Sequence, residues 1–491
     1  MKRYILGLDE GTTSARTLVY DAVNNEIINI TNEKFKQYFP QPAWVEHDAN
    51  EIWTVMQRTM NKAIKDSGID ADEIIGLGIT NQRESIVAWD KTTGESICPS
   101  IVWQCRRTKD YCDTIKAGMR KYIKKNTGLI VDPYFSATKI KWLLDNNKNV
   151  QKLLKENKLC VGTIDAYLTF RLTKGEKFIT DTSNASRTML FNINTLAWDK
   201  KLLDYFGIPE NILPEVVGNG KELGIAHTKY GDFPIGAILG DQQSSLFGQG
   251  CFTKGLAKAT YGTGCFILSN TGDTPIKNDK MLSTIAWTLN GKTTYAEEGS
   301  IFNAGTVVNW LIDNLKILDS NKQSSEICSN LQSTNGVYFV PAFTGMGAPY
   351  WSANSTGCIT GITRGTTKNE IIRAGLESMA YNTYDIVTTM ENKDISVKEL
   401  RVDGGVTRNE FLMQFQADIL GKKIVKPSST ECTALGAIYM AGLSLGHFKS
   451  LKEIQSKIQV LKEYKNTMNT KTRLDLLDGW HKAVKRTIGD N

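Results

Sequence analysis

A chain of 491 residues is long for one domain, and 41% hydrophobic residues with only 11 prolines exclude a disordered or fibrous protein. Two globular domains of about 200–250 residues are expected instead. Nine cysteines without a CxxC pair and four scattered histidines exclude a metal framework or a hydrolytic triad, and imply free thiols in a cytoplasmic setting. No apolar run approaches the ~20 residues that span a membrane.

In chain order, residues 4–9 form an apolar strand that ends in Asp9 and runs into Glu10-Gly11-Thr12-Thr13-Ser14-Ala15-Arg16. An acid, a flexible glycine, three hydroxyls and a guanidinium on one turn can hold phosphate oxygens, with Asp9 orienting a hydrated Mg²⁺. The turn matches neither a Walker A loop nor GxGxxG. Strands follow at 15–20 and 26–31, a helix at 51–67 and strands at 74–80 and 86–89. Between these last two lies Asn81-Gln82-Arg83-Glu84, an adjacent donor and acceptor suited to vicinal hydroxyls. As an alternative, Arg83 and Glu84 form a surface ion pair. Residues 101–160 carry 14 Lys/Arg against 5 Asp/Glu within a chain of net charge +7. Helices expected at 115–125 and 139–158 make that charge a solvated face, with no nucleic acid bound.

A strand at 235–239 meets a helix at 242–248 through Gly240-Asp241-Gln242-Gln243. A carboxylate there can cap the helix, stay ionised beside its positive end and accept a proton from a substrate hydroxyl. The hinge is expected near 248–255. Residues 257–270 then repeat the opening plan of strand, small-residue turn and strand, with Tyr261-Gly262-Thr263-Gly264 at the tip. Such hairpins aim backbone N–H groups at an anion, and two of them imply duplicated domains facing one cleft. Helices at 304–315, 369–391 and 409–420 surround strands at 337–340 and 400–403. Asp403-Gly404-Gly405 leaves room for a purine and ribose. The tail helices at 451–460 and 480–488 are read as peripheral.

Nine blocks carry a resemblance: DEGTTSAR (9–16), NQRE (81–84), IVWQCRRT (101–108), DPYFS (132–136), NASRTMLF (184–191), GDQQ (240–243), TYGTGCF (260–266), PAFTGMGAPYW (341–351) and RVDGG (401–405). Together they resemble the FGGY carbohydrate kinases, and the glycerol kinases among them, within the actin/Hsp70/hexokinase superfamily. The resemblance implies an α/β fold of two duplicated RNase-H-like, actin-like ATPase domains, 1–249 and 250–491, with nucleotide and substrate in the cleft between them. It further implies ATP-dependent phosphorylation of glycerol to sn-glycerol 3-phosphate, ADP as product, Mg²⁺, and a homodimer or homotetramer. Position by position, Asp241 resembles the catalytic base. Arg83, Glu84, Tyr134 and Gln242 match glycerol ligands, with Trp103 and Phe266 as the apolar wall. Thr12, Thr13, Ser14 and Arg16 match the first phosphate turn, Thr263 the second, and Gly305, Asn309, Gly405 and Asn409 the nucleotide contacts. Two positions depart from the pattern, Asn309 for Gln and Glu10 for Gln; the Glu10 side chain is expected to point away from the phosphates.

Overall fold

A computed structural model describes residues 2–221, 223–392 and 395–489. Its frame is two sheets of matching topology. In the first, Glu26–Lys34, Ser14–Asp21 and Tyr4–Glu10 run antiparallel to one another, and Ile74–Asn81 and Gly231–Gly240 then add in parallel. In the second, Lys292–Ile301, Cys265–Gly272 and Leu256–Tyr261 are the antiparallel set, extended in parallel by Glu399–Asp403 and Lys423–Pro427. The parallel strands are buried along Ile74–Asn81 and over residues 235–240, as strands covered on both faces must be.

Each sheet carries one small-residue hairpin turn, 9–16 in the first and 261–264 in the second, and the ends of the parallel strands bring 81–84, 240–243 and 403–405 beside these turns, around one cleft. A smaller sheet of Glu46–His47, Ser100–Ile101, Ile86–Asp90 and Leu159–Thr163, with helices between residues 109 and 206, adds to the first half. Its core is built on Phe135, Ile140, Leu143 and Phe206.

The halves interlock through two helices. Cys432–Ser444, from the second half of the chain, packs on the first sheet and crosses Asp241–Gly248. The crossing is so close that a Cβ at Gly436 would stand 1.8 Å from the Ser244 carbonyl oxygen, and one at Gly248 2.0 Å from that of Cys432. Only glycine permits that approach.

Two expectations need correction. The basic segment is not two long helices: Asn147 caps a new helix, Lys148–Lys155, where Ser136–Asn146 ends, and Lys109–Thr114 and Ala117–Thr127 are likewise separate. Nor is the tail peripheral. Val460–Tyr464 is an edge strand of the second sheet, and Thr470–Ile488 buries Leu477, Trp480, Ala483 and Val484. Amphipathic spacing shows that a helix has one apolar face, not what covers it.

Candidate active site

The first turn is built by strand register. Asp9 and Arg16 are directly opposite across the hairpin and form an ion pair, while Gly11 N–H closes the turn on the Ser14 carbonyl at 2.9 Å. Arg16 also reaches Glu431 of the second half at 2.6 Å. Burial pushes the Asp9 carboxyl above its ordinary value, against the pull of Arg16. Glu10 turns inward and accepts from the Gln82 amide at 2.7 Å; burial holds its carboxyl well above the usual range, against the pull of the Gln82 hydrogen bonds.

The floor is a desolvated ion network. Arg83, 2% exposed, donates through Nη1 to Glu298 at 2.5 Å and to Gln243 at 3.2 Å, with its Nε 3.2 Å from Asp241 Oδ1. Glu84 accepts from Arg187 Nε at 2.6 Å, and Arg187 Nη2 donates to Glu298 at 2.8 Å. Arg83 and Glu84 are therefore buried at the floor and do not form a surface pair. Glu84 has φ +63°, a left-handed conformation that is strained for a non-glycine residue. Its carbonyl is held by Ser136 Oγ at 3.1 Å and Lys139 Nζ at 3.2 Å, which stabilises the bend that turns the side chain inward.

Asp241 is the first residue of its helix, with Gly240 at the capping position, and does not cap from outside. It accepts the Gln242 N–H at 2.7 Å on Oδ1 and the Gln242 side-chain amide at 2.8 Å on Oδ2. Burial pushes its carboxyl above the ordinary value, while Arg83, Gln242 and Lys258 oppose the shift. Helix position alone predicts the opposite direction; desolvation decides it. With 27% of its side chain exposed, it is the carboxylate of this network that faces the cleft.

Above it, Trp103, Tyr134 and Phe266 form a wall, with ring centroids 5.6 and 6.1 Å from Trp103 to the other two. Trp103 Nε1 donates to Thr12 Oγ1 at 3.0 Å, tying that wall to the phosphate turn. The three aromatics and Thr263 line a cavity of about 410 Å³. Thr263 also lines a second cavity of about 700 Å³, together with Gly305, Asn309, Gly405 and Asn409. Asn309 thus faces that cavity in spite of its departure from the usual Gln. Asn409 caps Glu410–Leu420 through its Oδ1.

This arrangement has close counterparts. Residues 4–248 match the N-terminal domain, and residues 257–445 the C-terminal domain, of the FGGY family of carbohydrate kinases. The chain belongs to that family. It is 48% identical to a glycerol kinase of Francisella tularensis subsp. novicida, over 99% of this chain and 98% of the relative. Among solved structures it is similar to Plasmodium falciparum glycerol kinase with ADP (36% identity, TM-score 0.92, 99% of each chain). It is also similar to gluconate kinase from Lactobacillus acidophilus (25% identity, TM-score 0.88, 98% and 97% of the chains).

Three residues of this FGGY site escape a reading of the sequence. Arg187, Glu298 and Lys258 are each fully buried against the floor. Arg187 sits inside a recognised block, but nothing in NASRTMLF says which way it points. Glu298 and Lys258 lie in strands and resemble solvated positions, because the alternate positions on their own faces are mostly polar: Lys292, Thr294 and Ser300 beside Glu298, and Thr260 beside Lys258.

Proposed function

We propose that this chain transfers the γ-phosphoryl group of ATP to a terminal hydroxyl of glycerol, giving sn-glycerol 3-phosphate and ADP. The observation that carries this reading is Asp241. It is a partly exposed carboxylate just past the end of Gly231–Gly240, beside a buried Arg83–Glu84 pair whose arginine meets Tyr134 and Phe266 of the aromatic wall. Residues 1–249 and 250–491 are taken as the two halves.

Asp241 accepts the proton of the attacking hydroxyl. The Gln242 N–H donates to Oδ1 and Arg83 Nε pairs with it, whereas among the described residues Oδ2 accepts the Gln242 side-chain amide and keeps a lone pair for the substrate. Arg83, Glu84 and Gln242 bind the glycerol hydroxyls, Tyr134 adds a polar contact, and Trp103 and Phe266 pack on its carbon edge. Thr12, Thr13, Ser14 and Arg16 hold the phosphates from the first half and Thr263 from the second. Gly305, Asn309, Gly405 and Asn409 hold the nucleoside. The chemistry is positioning and electrostatic stabilisation, with water kept out by the wall.

The donor set fits Mg²⁺ carried on the nucleotide. Among the described residues no three acidic, His or Cys side chains gather as a cage, while Asp9 offers one buried carboxylate beside the turn. That suits an ion that keeps several waters and takes the rest of its ligands from phosphates. Asp9 would hold it through water, and the ion would neutralise phosphate charge. Nine free cysteines accord with a cytoplasmic setting, and family practice with a homodimer or homotetramer. Among the described residues no helix is long and apolar enough to cross a membrane.

A panel of glycerol, xylulose, ribulose and gluconate with an ADP-coupled readout tests the reading. Glycerol is expected to give the highest kcat/KM; a higher value for any of the sugars overturns it.

A further inference from the structure

Lys258 lies in Leu256–Tyr261 and is fully buried, although Leu256 and Thr260 on the same face of the strand are only partly so. A buried ammonium ordinarily pairs with a carboxylate. Here its three donors go to neutral oxygens instead: Gln242 Oε1, Thr260 Oγ1 at 3.0 Å and the Phe266 carbonyl at 3.2 Å. The position is costly, since burial lowers the affinity of Lys258 for its proton, and Asp403, Asp241 and Glu298 oppose that loss while Arg83 adds to it. A methionine would fill the same space without that penalty.

The consequence lies one residue further on. An ammonium has no acceptor, so it can bond only the oxygen of the Gln242 amide. That orients Gln242 Nε2 toward Asp241 Oδ2, 2.8 Å away. With the amide reversed, a carbonyl oxygen would face the carboxylate and be repelled. Lys258 therefore selects the rotamer in which Gln242 braces the base. It does so from the other half of the molecule: its strand and Cys265–Gly272 form the hairpin whose tip carries Thr263.

We propose that Lys258 is a positioning residue for phosphoryl transfer, fixing the Asp241 carboxylate through the Gln242 amide and registering it against the Thr263 phosphate turn. This rests on Asp241 being the base, and the experiment separates the two claims. Four proteins are compared in the glycerol assay: Lys258→Met, Gln242→Ala, the double variant and Asp241→Asn.

Lys258→Met is expected to lower kcat about ten- to hundredfold, the scale of a small misplacement at the reacting centre, with the ATP KM within about threefold of wild type. Removing the cation also moves the acid limb of kcat to higher pH, because Lys258 helps to keep Asp241 ionised. The double variant should be no slower than Gln242→Ala alone, since the lysine acts through that amide. An unmoved acid limb, or defects that multiply in the double variant, overturns the proposal. If Lys258→Met does not fold, Lys258→Gln, which keeps a donor but no charge, carries the same acid-limb test with the same two outcomes. An inactive Asp241→Asn beside a normal Lys258→Met removes the positioning role and leaves the base in place. A near-normal Asp241→Asn removes the base itself.

Discussion

Asp241 and its neighbours show how burial and charge divide roles among similar side chains. Asp241→Asn keeps size and most contacts, so the protein should fold and bind ATP while kcat falls about 10²–10⁴-fold, the usual worth of a general base. Isothermal titration with nucleotide and steady-state kinetics check both halves. Because the base works deprotonated and burial raises its pKa, wild-type kcat should be lost as pH falls through a value above the ~3.9 of an ordinary Asp. A pH–rate profile measures the limb. Glu298 behaves oppositely: burial alone would raise it, but Arg187 and Arg83 outweigh that and leave it at about 2. Its ionisation therefore stabilises the fold above the unfolded value of ~4.3 and is lost as pH falls from about 4 to about 2. Glu298→Gln leaves both arginines short of charge and should cost about 3–5 kcal/mol at pH 7 in urea unfolding, with a flatter acid limb of stability. Glu84→Ala should raise the glycerol KM at least about tenfold with the ATP KM little changed; equal effects on both substrates in steady-state assays would point to a folding defect.

Helices and strands place these groups, and two junctions bear directly on that placement. Cys432–Ser444 and Asp241–Gly248 cross at Gly436 and Gly248, and the second of these helices begins with Asp241, the proposed base. Gly436→Ala would force a methyl group onto the Ser244 carbonyl. Since backbone rather than a flexible side chain must yield, a loss of about 1–3 kcal/mol or more in urea unfolding is expected, with reduced kcat. The C-terminal helix is fastened elsewhere. Asp385 accepts from Trp480 Nε1 at 2.6 Å, from Tyr350 at 2.8 Å and pairs with His481 at 2.7 Å, and Trp480 stacks on Tyr381 at 5.3 Å. The Asp385 hydrogen bond raises the His481 pKa. This contribution is full below the unfolded value of ~6.5 and fades as pH rises through the folded one. Thermal unfolding of His481→Gln should lose the part of the wild-type pH dependence that lies above about pH 6.5; an unchanged pH dependence would deny the latch.

For the molecule as a whole, the two sheets with their matching hairpins place one small-residue turn on each side of the cleft, so the proposed site exists only when both halves are docked. Arg16 to Glu431 and Arg83 to Glu298 both cross that divide. The basic segment 101–160 serves structure more than it offers charge. Arg107 lies over Trp44 and Trp142 and pairs with Glu46, Arg106 pairs with Asp132, and Lys139 is buried under three carbonyls. No DNA or RNA binding tighter than about 10⁻⁶ M at physiological salt is therefore expected in fluorescence anisotropy; saturable submicromolar binding would contradict it.

The duplicated strand–turn–strand plan, both small-residue turns and the strand-to-helix junction at Asp241 were legible in the chain itself, because each is local: a turn's residue types and a strand's parity lie within a dozen positions. The Arg83–Glu84 pair was legible as chemistry but not as location, since adjacent charges look alike on a surface and on a buried floor. Arg187, Glu298 and Lys258 were invisible as site residues, because the floor groups they meet, Glu84, Arg83 and Gln242, lie 16 to 215 positions away and no local pattern encodes such a meeting. The raised pKa of Asp241 belongs to the same class. Helix position favours an ionised acid, while desolvation by the assembled cleft opposes it, and that burial arises only when distant segments pack together.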